Sequence, residues 1–488
     1  MQLVAYGAQD TYLSSNPQIT FWKVLYKRHT NFAMESKRVD FLGTPMYGSK
    51  ISAPLPRYAD LITKSYLYVE LPAYGAWTTS GSIPTQSAYG WNNDQKRLGY
   101  VLFDYMDIEI GGQIVDKQYA QWMAIWSQVT STVSKRIELD TLTGGVDKMA
   151  KSSCGTIGGT VYSTTPATDS SSSALVTGQS STASWYSVDG NNQNTRVTAL
   201  HIPLTFWFSR NPGLALPLVA LQYHEVRINV QLASSRQVTS DPFGITLDPV
   251  TGLAPPNVPQ LADIALMMDY VYLDTDERRR FAQQSHEYLI EQLQFSGDQQ
   301  YTSQSVNIDM TLNHPIKELV WVTQWSAYLD CTDAAQVPTL HPISTQDFVD
   351  EAQLQLNGQE RIEFRRGEYF NSVQVHQHHT GAGEIFPFVS AIDQVNYGSG
   401  VYFYSFAVKP EEHQPSGSCN FSRIDKATLY LKFRNDYTAG CDGLFGGGQY
   451  SFVQPTGGGG APINVRIYAV NYNVLRVMSG MGGLAYSN

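Results

Sequence analysis

A chain of 488 residues is too long for one ordinary hydrophobic core and fits two units of about 200 residues each. Its formal net charge of −10 excludes a protein that coats nucleic acid by releasing counterions, because that task needs a basic surface. Aromatic residues at 12%, frequent Gly and Pro, and few long amphipathic stretches favour β-sandwiches with wide loops over helical bundles.

The first 29 residues form an arm with its own character. Ser15 or Asn16 is expected to cap a short helix with Pro17 in its first turn. On such a helix Ile19, Trp22, Leu25 and Tyr26 share a face, with Lys23, Lys27 and Arg28 elsewhere. That pattern suits an amphipathic foot on a membrane or a neighbouring subunit, or a helix packed under its own first sandwich. The opening residues have neither a basic segment nor an apolar core, so no signal peptide is expected. No run of 18 apolar residues occurs anywhere, so no spanning helix is expected.

Strands are expected next at 62–71 and 106–110, where Met106-Asp107-Ile108-Glu109-Ile110 alternates and then turns on Gly111-Gly112-Gln113. A Gly/Ser/Thr-rich excursion follows at 144–195 and reads as an exposed loop. An aromatic strand at 201–208, a strand at 226–232 and a closing strand at 265–273 complete the first half. Residues 274–281 read as a linker helix capped by Thr275 or Asp276, with acids first and arginines after. The order then repeats: strands at 286–295 and 316–322, and an alternating hairpin Ala352-Gln353-Leu354-Gln355-Leu356 that turns on Asn357-Gly358-Gln359. Strands at 401–406, 427–433 and 465–475 follow. From Gly112 to His201 is 89 residues, against 44 from Gly358 to Tyr402, and the excursion accounts for the difference. The chain therefore reads as an internal duplication of an all-β unit. The expected fold is a double jelly roll: two tandem eight-stranded antiparallel β-sandwiches with long surface loops and a few short helices. The expected segments are the arm (1–29), the first jelly roll (30–275), a linker (276–285) and the second jelly roll (286–488).

Chemistry is scarce. His376 and His378 would share one face of a strand, but Glu384 is the nearest acid and no partner spacing is compelling, so the cluster through His379 reads as a polar loop. Gly446–Gly448 and Gly457–Gly460 lack the Lys-Ser/Thr of a P-loop, and no GxSxG elbow occurs. Asp104, Asp107 and Glu109 cluster, yet alternation places Asp107 and Glu109 on the solvent face. Cys154, Cys331, Cys419 and Cys441 are scattered without a CxxC pair, which fits free thiols in a reducing compartment. Asn420-Phe421-Ser422 is a glycosylation sequon in a chain without an expected signal peptide. No catalytic residue, cofactor or metal site is expected.

Several long motifs carry a resemblance. They are Leu3-Val4-Ala5-Tyr6-Gly7-Ala8-Gln9-Asp10-Thr11-Tyr12-Leu13, Asn16-Pro17-Gln18-Ile19-Thr20-Phe21, and Phe206-Trp207-Phe208-Ser209-Arg210-Asn211-Pro212-Gly213-Leu214-Ala215-Leu216-Pro217. Tyr272-Leu273-Asp274-Thr275-Asp276-Glu277-Arg278-Arg279-Arg280-Phe281 and Ser479-Gly480-Met481-Gly482-Gly483-Leu484-Ala485-Tyr486-Ser487-Asn488 belong with them. Together they resemble the major capsid proteins of nucleocytoplasmic large DNA viruses, of the chlorella-virus, iridovirus and mimivirus kind. The resemblance implies a structural protein, not an enzyme: a homotrimeric, pseudo-hexagonal capsomer tiling the icosahedral shell of a large double-stranded DNA virus. It implies contacts with neighbouring capsomers and with minor capsid, cement and penton proteins. It places the arm on the inner side near the viral membrane, with assembly in the host cytoplasm and residence in the virion. The alternative is a minor capsid, spike or carbohydrate-binding jelly-roll protein, with Trp185, Tyr186 and Tyr450 as loop aromatics for glycans.

Overall fold

The computed structural model describes residues 7–17, 21–22, 26, 28–72, 98–144, 198–240, 260–325, 348–381, 400–434 and 463–486. Strand segments at 75–80, 83–91, 156–157, 160–161, 388–389 and 396–397 are described as well. The first sandwich is built from β1 (Phe32–Asp40), β2 (Lys50–Pro54), β3 (Leu61–Leu71), β4 (Phe103–Ile110), β5 (Gln113–Tyr119), β6 (Thr198–Pro203), β7 (Val226–Leu232) and β8 (Asp263–Leu273). The second uses β9 (His286–Tyr301), β10 (Ser305–Met310), β11 (Pro315–Trp325), β12 (Val349–Leu356), β13 (Gln359–Arg366), β14 (Val401–Ser405), β15 (Ala427–Phe433) and β16 (Ile463–Met478). The α-helices longer than four residues among the described residues are α1 (Ala120–Thr130), α2 (Val133–Leu142), α3 (Thr275–Gln283) and α4 (Gln374–His378).

The sheet orders prove the duplication. The first sandwich pairs β1-β8-β3-β6 against β2-β7-β4-β5, and the second pairs β9-β16-β11-β14 against β10-β15-β12-β13. Adding eight to each strand of the first gives the second. Every ladder among these strands is antiparallel. The two hairpins turn as their sequences require: Gly111 and Gly112 have φ of 58° and 87°, and Asn357 and Gly358 have 52° and 73°.

The remaining differences from the sequence reading have local causes. The aromatic strand stops at Pro203, and Trp207–Arg210 is a helical turn; its Trp207 and Phe208, with Phe206 just before it, fill the core instead of alternating. The linker helix is capped by Asp274, one residue earlier than expected, whose Oδ1 accepts from Thr275 N at 2.8 Å. The arm's helical turns lie at Ala8–Ser14, ahead of the expected cap; Asn16 takes φ 58°, a helix-terminating conformation. Asp107 is not on a solvent face. It is 1% exposed, paired with Lys50 Nζ at 3.0 Å and accepting from Asn229 Nδ2 at 2.7 Å. The side chains of neighbouring strands bury this central position. Of the 144–195 excursion only Gly144, 156–157 and 160–161 are described; Trp185, Tyr186, Glu384 and Tyr450 lie outside the described residues.

Candidate assembly faces and the seam between the sandwiches

The outward face of the second sandwich's β9-β16-β11-β14 sheet is apolar and covered. Phe295 pairs with Tyr468, Tyr468 with Val320, and Val320 with Phe403 across the four strands. Leu293 and Val470 form the next row. These side chains join the main hydrophobic cluster of the first sandwich, while the inward residues Leu319, Trp321, Ile467 and Ala469 belong to a separate cluster. The cover is β5, α1 and the 207–210 turn. Tyr119 lies 4.5 Å from Phe295, and Trp122 lies 5.6 Å from Tyr468 and stacks on Trp126 at 5.5 Å. α1 is buried along almost its whole length, which is why its sequence AQWMAIWSQVT has no polar stripe.

Polar groups at this seam are tied across it. Gln121 accepts from Tyr468 Oη at 3.0 Å and Arg466 Nη1 at 3.1 Å, and donates to Gln324 Oε1 at 2.9 Å. Gln292 donates to the carbonyl of Val115, and Leu293 N donates to Asp116 Oδ1 at 3.1 Å. Burial pushes the Asp116 carboxyl up, against the hydrogen bonds from Gln118 and Leu293 that favour its charge. Gly381 N donates to Val129 O at the end of α1; a Cβ there would sit 2.2 Å from that oxygen, so only glycine fits. The C-terminal hairpin also returns to the first sandwich, where Tyr223 N donates to Gly480 O at 2.9 Å.

Six charged groups gather around Trp126. Arg210 reaches Glu291 at 2.9 Å and Lys317 reaches the same carboxylate at 2.6 Å. His379 sits between Glu318 Oε1 at 2.6 Å and Glu411 Oε1 at 3.1 Å, its side chain wholly buried, with its ring against Trp126 and Phe403. Burial lowers the Lys317 ammonium below its ordinary value, in opposition to Glu291. Burial also works against the His379 imidazolium, but Glu318 and Glu411 overcome it and raise its pKa from 6.5 to about 9. Three cations face three carboxylates, so the cluster is neutral when His379 holds its second proton.

The first sandwich carries a more polar row on the equivalent sheet, in which Asp40 is exposed, Tyr68 and His201 are half-buried and Ala265 is buried. Its outward row is Asp40, Ala265, Tyr68 and His201. Arg38 makes a two-pronged pair with Asp263 at 2.6 and 2.7 Å; Tyr68 meets His201 edge-on at 5.1 Å and donates to Glu70 at 3.3 Å. Phe32 and Met34 on β1 are 51% and 53% exposed.

The structure places the sequence-derived candidates unevenly. Trp22 and Tyr26 are 89% and 85% exposed and Arg28 is exposed, whereas Ile19, Lys23, Leu25 and Lys27 lie outside the described residues. His376 and His378 lie on α4, not on a strand, and two positions apart on a helix they point to different sides. His378 Nδ1 lies 3.1 Å from the carbonyl oxygen of Val408, and no group of three metal-ligating side chains occurs among the described residues. The buried member of that run, His379, went unrecognised as an ion-pair residue. The available signal was Lys317-Glu318, a charged pair inside an otherwise apolar strand. An open groove of about 380 Å³ is lined by Arg57, Tyr58, Asp60, Tyr272 and Arg278, but both arginines are engaged, Arg57 by backbone carbonyls and Arg278 by Asp60. No helix among the described residues is long and apolar enough to cross a membrane.

Comparison with known proteins bears on these faces. The family model of the large eukaryotic DNA virus major capsid protein matches residues 277–483, and that of the major capsid protein N-terminus matches residues 20–274. A major capsid protein of Pyramimonas orientalis virus is 42% identical, over 100% of this chain and 99% of its own length. The crystal structure of PBCV-1 VP54 fitted into a reconstruction of the virophage Sputnik superposes with a TM-score of 0.66 at 32% identity, covering 96% of this chain and all of that one. A quasi-atomic model of the PBCV-1 virus capsid gives 0.64 at 31% identity, with the same coverage.

Proposed function

This chain belongs to the major capsid proteins of large eukaryotic DNA viruses, and on that premise we propose that it assembles as a homotrimeric capsomer of pseudo-hexagonal outline. The observation that carries the reading is the repeated strand order, β1–β8 and β9–β16, in one chain. Hexagonal tiling of a flat icosahedral facet needs six similar edges, and three copies of a duplicated chain supply six. The buried seam joins the two units firmly enough for one chain to act as a rigid two-sixths of the ring. The division into arm (1–29), jelly rolls (30–275 and 286–488) and linker (276–285) is supported by α3, which follows β8 and precedes β9. The role is structural, residence is in the virion, and assembly takes place in the host cytoplasm. Neighbouring capsomers, minor capsid, cement and penton proteins are the partners, and no direct contact with nucleic acid is part of the reading.

In the arm, Trp22 and Tyr26 support an anchoring role, because both are bare in the isolated chain. The arm serves contacts below the capsomer, with the inner membrane or a neighbour. Light scattering on the purified chain should report about three times 54.3 kDa. A truncation beginning at Thr30 should keep that mass and fail to close into shells seen by electron microscopy. A stable monomer would refute the trimer, and normal shells without the arm would refute its role.

A further inference from the structure

Two residues separate the inward-facing Ile316 and Leu319 on β11, where strand alternation leaves room for one. The ladder to β16 shifts register at that point, and the bulge turns both Lys317 and Glu318 outward to the seam. The Lys317 side chain is wholly buried, and that of Glu291 on β9 is nearly so. Lys317 Nζ lies 2.6 Å from Glu291 Oε1 but is not aligned on it as a hydrogen-bond donor, and no other acceptor among the described residues serves it. Arg210 Nη1 holds the other oxygen, Oε2, at 2.9 Å. Glu318 Oε1 meets His379 Nε2 at 2.6 Å, while its Oε2 is buried with no hydrogen-bond partner among the described residues. The rings of Trp126 and Tyr472 enclose the pair, 5.7 and 5.8 Å from Nζ. A desolvated amine, a carboxyl group in contact with it, a cation on the far oxygen and a spare carboxylate thus share one enclosure.

We propose that Lys317 Nζ and Glu291 Cδ join in an isopeptide bond, a covalent tie from β9 to β11 across β16. Transfer of one proton from Nζ to Glu291 Oε1 leaves a neutral amine beside a neutral carboxylic acid. Burial favours that exchange because both charges vanish, and it already lowers the Lys317 pKa. The amine attacks Cδ, and the charge that develops on Oε2 sits under Arg210. Glu318 takes a proton from the attacking nitrogen and returns it to the Oε1 hydroxyl, which leaves as water. Ammonium and carboxylate become amide and water, with no other reactant. Charge balance survives the step. Before it, Arg210, Lys317 and His379 face Glu291, Glu318 and Glu411; after it, Arg210 and His379 face Glu318 and Glu411. The amide oxygen still accepts from Arg210, and two buried charges that cost desolvation are gone. The bond also ties down β9, the edge strand of its sheet and the strand that follows the linker helix α3. Like a disulfide, it closes a loop in the unfolded chain and so lowers that state's entropy.

The test is the mass of the full chain, purified folded and then denatured. Wild type should weigh one water less than its sequence requires, and digestion should yield a branched peptide joining Lys317 to Glu291. Lys317→Arg keeps the cation, cannot form the bond and should recover the full mass. Glu291→Gln should expel ammonia in place of water and reach the same branched product as wild type. Glu318→Gln should slow closure after refolding by about a hundredfold, the usual contribution of a positioned proton carrier. A wild-type chain that keeps its full mass through days of incubation in the folded state overturns the bond and leaves a buried ion pair. A lost water that maps to any other residue overturns it as well. An unchanged closing rate in Glu318→Gln overturns the role given to Glu318. The wild-type mass and peptide map decide the bond even where a variant fails to fold.

Discussion

The outward faces of the two equivalent sheets, β1-β8-β3-β6 and β9-β16-β11-β14, share one strand order yet differ in surface chemistry. On the second, Leu293, Phe295, Val320, Phe403, Tyr468 and Val470 are apolar and lie under Trp122 and Trp126. On the first, the outward rows carry Arg38, Asp40, Tyr68, His201, Ala265 and Met267, and the Arg38–Asp263 pair stands half in solvent, with 43% and 31% of its side chains exposed. Identical backbone topology therefore does not set surface chemistry; what each face meets during the life of the chain does. A face buried at folding can be apolar. A face that waits in water cannot carry a continuous apolar patch without risking wrong association.

The sharpest way to break this comparison is to cut into the covered face. Trp122→Ala removes a wholly buried side chain from the seam and should cost about 3–5 kcal/mol, seen as a lower denaturant midpoint. A loss below about 1 kcal/mol would mean that the seam is loosely packed and the two units are not rigidly joined. The next effect is one of pH. His379 has its pKa raised from 6.5 to about 9, so its stabilising contribution is complete below pH 6.5, declines from there to 9, and is gone above. A rise of that size corresponds to about 3 kcal/mol by linkage. Urea unfolding of the wild type across this window should show the decline, and His379→Gln should flatten it. An unchanged slope in the variant would move the titration elsewhere. The smallest effect belongs to the more polar face. Arg38→Ala should change folding stability by about 1 kcal/mol or less, because exposed pairs are screened. That small change should shrink further in high salt, and a loss of several kcal/mol would show that the more polar face is load-carrying before assembly.

Much of the architecture was legible in the residues. The hairpins at Gly111-Gly112 and Asn357-Gly358 announce themselves because few residues tolerate the left-handed φ values that two-residue turns need. The strands 226–232 and 427–433 follow from alternation alone, and both occupy those residues in the structure. Where alternation misled, a neighbour had intervened. Asp107 obeys the period of its strand, but Lys50 and Asn229 close over it. Trp207 and Phe208 have strong strand propensity, yet packing winds them into a turn.

By itself, the sequence determined that the chain is all-β, that it is duplicated, where the hairpins turn, and which family it resembles. Those properties are written in short-range patterns and in long runs of matching residues. Tertiary structure alone decided which copy of a repeated face would be covered, since Glu291 and Lys317 lie 26 residues apart and meet Arg210 only across the seam. It also decided that His379 is an ion-pair residue, because Glu318 and Glu411 come to it from elsewhere in the chain, 61 and 32 residues away. Burial and charge pairing depend on what packs from outside the strand, and no local period in the sequence encodes that.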